Sequence, residues 1–394
     1  MVREDPERKG LLFAGTERAV HVSFDDGDHW HSLRLNMGAS SIRDLIIKGD
    51  DLCVATHGRG FWILDNITPL RQLQDSIKKA PAMLFRPQTA VRVRWNMNSD
   101  TPIPPDEAAG ENPPDGAMID YYIGSGGTGP AILEIKNEAG QLVRRYSSAD
   151  PLPIPDPALN IPPYWVRPPQ KLADEPGMHR FLWDLHYAPV PGVQPQYPIA
   201  AVYRNTAPAA TSPWAMPGNY TVVLTVGGKS YEQTLTVVMD PRVKTSNADL
   251  AAQFRLSQAI YDEWLALNSV SESVKRVRAQ LAEAQERAPA GDLKTHIKAL
   301  DEKLQALAGS AGGGPGGAAG AGTRASLANT TGRLRTLFSL IEDVDVAPTP
   351  QAAAAVPDVV KDSRSLQETW RMLNSQEIAA LNQELHAAAL PELK

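Results

Sequence analysis

Between positions 11 and 65 the apolar residues fall into short runs, 11–16, 19–24, 30–35, 42–48, 52–56 and 61–64, each closed by turn-forming residues. Short alternating runs predict half-buried strands, and six of them with no room for crossover helices predict an antiparallel meander. The turns are Asp25-Asp26-Gly27-Asp28, Lys48-Gly49-Asp50-Asp51 and His57-Gly58-Arg59-Gly60. Their glycines accept the positive φ that side chains resist.

Past position 80 the pattern opens out. Alternating runs at 117–122, 131–136, 142–146, 179–185, 220–226 and 230–238 are separated by long loops, and 22 of the 33 prolines lie between Pro102 and Pro217. Proline lacks a backbone donor and breaks helices, so this region predicts a small β-sandwich joined by proline-rich loops. Hairpins are marked at Asn137-Glu-Ala-Gly140 and at Gly227-Gly228.

From Ser246 the period changes again. Leu250, Phe254, Ile260, Trp264, Leu267, Val270, Val274, Val277 and Leu281 recur mostly at three- and four-residue spacing, which predicts one long amphipathic helix. Ser246 and Asp249 suit its first turn. Helical patterns over 292–308, 325–342 and 366–389 follow, separated by a glycine-rich tether at 309–322 and by the stretch from Pro348 to Pro357. The predicted fold class is therefore multidomain β plus α. Residues 1–75 form a partial β-propeller of about one and a half blades, with four strands to a blade. Residues 81–241 form an immunoglobulin-like or FlgD-like sandwich, and 246–394 an antiparallel helical bundle.

Charge and composition narrow the partners. The chain of 394 residues carries 39 basic and 45 acidic side chains, a net charge of −6, so there is no cationic excess to hold nucleic acid. No apolar run is long enough to predict a transmembrane segment. The N-terminal residues lack an apolar signal core, and the sequence fixes no localisation. A single cysteine, Cys53, excludes an internal disulfide and a cysteine-cluster zinc site.

The most specific motif is Ser23-Phe-Asp25-Asp-Gly27-Asp-His-Trp30, which fits the S-x-D-x-G-x-x-W pattern of an Asp-box. Asp25 is placed to accept backbone amides across the turn, Gly27 to take positive φ, and Trp30 to cover the hairpin with apolar area. We read Ser23, Asp25, Gly27 and Trp30 as structural. Asp-boxes occur in β-propellers of the sialidase, BNR-repeat and sortilin kind. The unit Asp51-Leu-Cys-Val-Ala-Thr-His57-Gly-Arg-Gly60-Phe-Trp-Ile-Leu-Asp65 resembles the closing repeat of bacterial sortilin-like propeller proteins often labelled glycosyl hydrolases. So do Ile67-Thr-Pro-Leu-Arg71, Val91-Arg-Val-Arg-Trp-Asn96, Pro113-Pro-Asp-Gly116, Ile119-Asp-Tyr-Tyr122, Met178-His-Arg-Phe-Leu-Trp-Asp184, Pro217-Gly-Asn-Tyr220 and Met239-Asp-Pro-Arg242. The resemblance covers most of the chain, except that the family's many N-terminal repeats and secretory leader are missing. It implies a C-terminal piece of a longer periplasmic or secreted protein, or the product of a truncated gene.

Candidate chemistry is sparse. His29, His31 and His57 lie near acidic residues without the spacing of a helical zinc motif, so no metal site and no cofactor are expected. His57 and Arg59 sit on a glycine turn that either faces the channel of a complete propeller or is simply a tight hairpin. Asp25 and Asp26 are adjacent rather than flanking a bond, and no nucleophile elbow is present, so no catalytic residue is assigned. Tyr121, Tyr122, Tyr164, Trp165, Trp183, Tyr187 and Trp214 read as core, with a carbohydrate platform as the alternative. The sequence reading is a non-catalytic binding or assembly segment whose partner is an unidentified protein or glycan. The alternatives are the accessory part of a sialidase-like hydrolase whose catalytic blades are missing, and a carbohydrate-binding module. Exposed blade edges further predict self-association.

Overall fold

The computed structural model describes residues 1–94, 106–107, 110, 113–152, 159–309 and 325–394. The tether expected at 309–322 lies outside the described residues apart from Gly309, as do Trp95 and Asn96. The protein is mixed β plus α, with several sheets, one of them curled into a half-barrel, and a C-terminal helical region. The chain divides into two compact units: 1–186 with 197–208 and 217–241, and 187–196 with 209–216 and 242–394.

The first unit begins with two small antiparallel sheets. One has the order β1 (Val2–Glu4), β2 (Leu12–Gly15), β3 (Val20–Ser23), β4 (His31–Ser32); the other has β5 (Ile42–Lys48), β6 (Asp51–Thr56), β7 (Phe61–Leu64). The six expected strands are all present, and a seventh, β1, precedes them. One face of each sheet is apolar, and these faces share a core of Leu11, Phe13, Val20, Val22, Leu45, Leu52 and Val54. Fully burying each such side chain contributes about 1.5–3 kcal/mol. Gly15 lies directly against Ile42, so this contact leaves no room for a side chain on β2.

Two further sheets complete the unit. In one, β10 (Ala117–Ile123) lies between β13 (Gly177–Trp183) and β8 (Ala82–Leu84). The other has the order β12 (Leu142–Ser147), β11 (Ile132–Lys136), β14 (Gly218–Val226), β15 (Lys229–Met239), β9 (Ala90–Arg92), and its last pairing is parallel. Strands β8 and β9 were not anticipated. Rings carry the contact between the two sheets: Trp183 of β13 meets Tyr220 of β14 edge to face, and Phe181 meets Tyr146 of β12. Trp183 and Tyr121 are fully enclosed, and their polar ends are satisfied. Trp183 Nε1 donates to the His186 carbonyl, and the Tyr121 hydroxyl donates to the Ala173 carbonyl while accepting its N–H. Burial pushes the Tyr121 hydroxyl up to about 12.

Gly116 precedes β10 at φ +92°, and a Cβ there would overlap the Trp183 carbonyl oxygen. Gly116→Ala is therefore expected to cost more than about 1 kcal/mol, from strain and displacement together. A urea midpoint equal to that of the parent would refute this.

The second unit is built on α2 (Asn247–Arg287), which packs against α3 (Asp292–Ala308), α4 (Leu327–Glu342) and α5 (Pro350–Met372). Ser246 caps α2 by accepting the Asp249 N–H at 3.1 Å, as its sequence position implies. The expected apolar stripe forms the core: Ile260, Trp264, Leu267, Val274, Val277 and Leu281 meet Leu304, Leu334, Phe338 and Val359. The end of the chain departs from expectation. Proline does not separate two helices there: Pro350 occupies the first turn of α5 and Pro357 lies inside it, so the helix starts at Pro350 rather than at 366. Thr349 caps it, proline is tolerated in a first turn where the N–H has no partner, and the alanine-rich residues between the two prolines favour helix strongly enough to carry the second. A π-helical stretch, Leu373–Ile378, joins α5 to α6 (Ala379–Ala387).

Candidate functional site

Ser23, Asp25, Gly27 and Trp30 converge at one hairpin tip. Ser23, at the end of β3, donates its hydroxyl to Asp25 Oδ1 at 2.8 Å and accepts the Gly27 N–H at 2.9 Å. Asp25 Oδ1 also accepts the His29 N–H, and Oδ2 lies 2.7 Å from His29 Nδ1. Asp26 and Gly27 both take positive φ, which turns the chain tightly enough for one carboxylate to span it. The Trp30 ring lies against Gly27 and stays partly exposed. Sequence reasoning anticipated the amide contacts and missed the imidazole, whose only signal is its four-residue spacing from Asp25.

The backbone and side-chain hydrogen bonds from His29 hold the Asp25 carboxyl down at about 2, and the carboxylate in turn raises the His29 imidazole above its usual value. The sign of the pH dependence follows from linkage. Asp25 contributes stability above its ordinary value of 3.8 and loses it as pH falls through about 2. His29 contributes fully below its ordinary value of 6.5 and loses its contribution as pH rises through the raised folded value. The pair is thus strongest between those two ordinary values. Asp25→Asn is expected to return the His29 titration, followed by proton NMR, to the ordinary imidazole range. A titration unchanged in the variant would show that the contact does not persist in solution.

His31 packs its ring on Phe24. His57 and Arg59 occupy the exposed turn between β6 and β7, where Thr56 Oγ1 accepts the Arg59 N–H and the Arg59 carbonyl accepts Trp62 Nε1. The Arg59 guanidinium lies over Gly38, close to where a side chain there would sit. Among the described residues no group of three or more histidine, cysteine or acidic side chains is arranged to hold a metal. Of the aromatic set, Tyr121 and Trp183 are core, Tyr187 packs on Phe254 and Tyr261 in the helical unit, and Tyr164 remains exposed.

A cleft of about 380 Å³ in the first unit is lined by Lys48, Asp50, Asp51, Asp65 and Asp115. Most of its carboxylates are already engaged. Asp50 accepts Arg71 Nη1 at 2.5 Å, Asp51 accepts the Asn66 N–H at 3.0 Å, and Asp115 pairs with Arg167. Asp65 makes no hydrogen bond or ion pair through its carboxylate among the described residues. Burial and the neighbouring Asp51 charge push it up.

Two arginines unforeseen in sequence organise the surroundings. Arg71, on α1 (Thr68–Gln72), sends Nε to both oxygens of the fully buried Asp5 carboxylate, at 3.1 and 3.0 Å, and Nη2 to the Gly49 carbonyl. Arg180, on β13, pairs with buried Asp120 of β10 at 2.8 Å and donates to the Asp65 and Asn66 carbonyls just beyond β7. Asn66 Nδ2 completes the set on Asp120.

No family model, curated protein or solved structure matches this chain.

Proposed function

We propose that this chain is a non-catalytic binding or assembly segment of a sortilin-like, Asp-box propeller protein. Sheets β1–β4 and β5–β7 act as terminal blades, and the sheets that follow act as an immunoglobulin-like sandwich. The observation that carries this reading is the pair of antiparallel meanders packed face to face on one apolar core, with an Asp-box stapling the first. The cleft carboxylates support the non-catalytic part. A general acid and base need two positioned groups free to exchange protons, and Asp50, Asp51 and Asp115 are committed to structural partners.

Fluorogenic glycosides, sialosides included, are expected to show no turnover with the purified chain, which is expected to bind a sortilin-like propeller truncated before its last two blades. Turnover abolished by Asp65→Asn would overturn the non-catalytic reading. A failure to bind the truncated propeller, with the chain folded by circular dichroism, would overturn the assembly role. One observation favours a carbohydrate-binding reading as second choice: the exposed Tyr164 ring sits on a loop braced by the Val166 to Thr206 bridge and by the Arg204 N–H donating to the Tyr164 carbonyl. Rigidly held rings suit stacking on sugars, and fluorescence quenching by oligosaccharides tests it.

A further inference from the structure

Three loops meet at one end of the two meanders. Ile42 N–H donates to the Thr16 carbonyl at 2.8 Å, Ser40 N–H to the Arg18 carbonyl at 3.4 Å and His57 N–H to the Ser41 carbonyl at 2.8 Å, which laces the β2–β3 turn, the β4–β5 loop and the β6–β7 turn together. Residues 16–19, 33–43 and 56–60 hold four arginines, Arg18, Arg34, Arg43 and Arg59, and one acidic residue, Glu17. In a chain of net charge −6 this end is cationic. All four arginines are exposed, and among the described residues none of them forms an ion pair.

Arg59 is the most firmly held. Gly58 and Gly60 flank it at φ +83° and +65°, Thr56 Oγ1 accepts its N–H at 3.2 Å, and its carbonyl accepts Trp62 Nε1 at 3.1 Å. Its guanidinium lies over Gly38, where a Cβ would come within 3.0 Å of Nη1. Gly38 does not take positive φ, so what its missing side chain provides is room for that group. Arg43 is the extra residue of a β-bulge, between the Ile42–Thr56 and Asp44–Ala55 pairs, and a bulge leaves such a residue out of the ladder. Apolar side chains stand next to these arginines in sequence. Leu35, in the loop that carries Arg34 and Gly38, is 66% exposed, and Phe61, beside Gly60, is 84% exposed. The loop holds Leu35 at φ +47°, a conformation that bulky side chains resist.

We propose that this three-loop end is a docking site for an acidic peptide segment of another protein, one whose carboxylates alternate with apolar side chains. Guanidinium is planar and weakly hydrated, and it takes a carboxylate through two parallel N–H bonds. Arg59 receives one carboxylate in this way, Arg18 and Arg43 draw in its neighbours, and Leu35 and Phe61 cover the apolar side chains between them. A polyanion such as a nucleic acid or a sulfated glycan would leave those two apolar groups in water, so it matches the charge of this end without matching its surface. The inference needs only these loops and does not rest on the propeller reading.

Fluorescence anisotropy on the full chain tests it, with a labelled peptide of alternating glutamate and leucine as the probe. The probe is expected to bind, and to bind about tenfold more weakly to Arg59→Ala, since the best-placed fork is lost. A glutamine–leucine peptide and a glutamate–serine peptide should each bind about tenfold more weakly than the probe, the first for want of charge and the second for want of apolar area. Should Arg59→Ala fail to fold by circular dichroism, the double variant Arg18→Ala, Arg43→Ala carries the test with the same expected loss. No binding of the probe by the parent chain, or an affinity unchanged in the folded arginine variants, would overturn the inference. Heparin or the glutamate–serine peptide binding as tightly as the probe would overturn it too, because the site would then read charge alone.

Discussion

Replacing Arg71 by alanine is expected to destabilise the first unit by about 3–5 kcal/mol, the cost of stranding a buried charge after removal of its partner. Asp5 is the stranded group: its carboxylate is fully buried, and among the described residues it holds, besides Arg71, the Glu7 and Arg8 N–H groups. Arg71→Lys keeps the charge and loses the planar fork that reaches Asp5, Asp50 and Gly49 together, so it should recover only part of the loss. The double variant Arg71→Met, Asp5→Leu should be less damaged than Arg71→Ala, because no charge is left buried. Denaturant titration of all three variants measures these losses. A loss below about 1 kcal/mol for Arg71→Ala would place the pair among surface contacts instead.

Arg180→Ala is expected to have the next largest effect, about 2–4 kcal/mol, somewhat less because the guanidinium is partly exposed. Burial pushes the Asp120 carboxyl up even though Arg180 pulls it down. Desolvation therefore outweighs the attraction, so the pair adds little net stability while the loss of one member costs a great deal. The sign with pH follows. A carboxyl raised in the folded state contributes stability below its unfolded value and loses it as pH rises through the folded one. Without Arg180 the Asp120 value climbs further. The deficit of the variant relative to the parent should thus shrink as pH drops below the ordinary carboxylate range. Paired urea melts at acidic and neutral pH would show it, and a deficit that grows on acidification would contradict this account.

Neither arginine cluster could be read from the chain, and the reason is physical. Asp5 and Arg71 belong to different elements far apart in sequence, and an isolated arginine looks the same whether its partner is water or a buried carboxylate. Local features fared better. Alternation and glycine turns placed β5 to β7 almost residue for residue and β2 and β3 to within a residue at each end, because each is fixed by its neighbours, whereas the run at 30–35 shrinks to the two-residue β4. β1, β8 and β9 were missed since three residues cannot display a period of two, and β1 is exposed throughout. The proline reading failed at α5 for a different reason. Pro350 sits in the first turn, where no N–H is needed, and Pro357 is carried inside the helix by the alanine-rich run before it. The Ser23-to-Trp30 turn was legible from its residue pattern, while the His29 contact depended on how the side chain folds back over the turn.

The parallel pairing of β9 with β15 sets Ala90 beside Val237, so the five-stranded sheet gains its last strand only when about three fifths of the chain has been made. The meanders β1–β4 and β5–β7, by contrast, pair only near neighbours in sequence. Closing long loops slows folding, and local contacts form first. On the ribosome, the hairpins bearing the Ser23-to-Trp30 turn and β7 would be in place while residues 82–92 still waited for their partners. During synthesis β7 is thus presented before the rest of its own unit is complete.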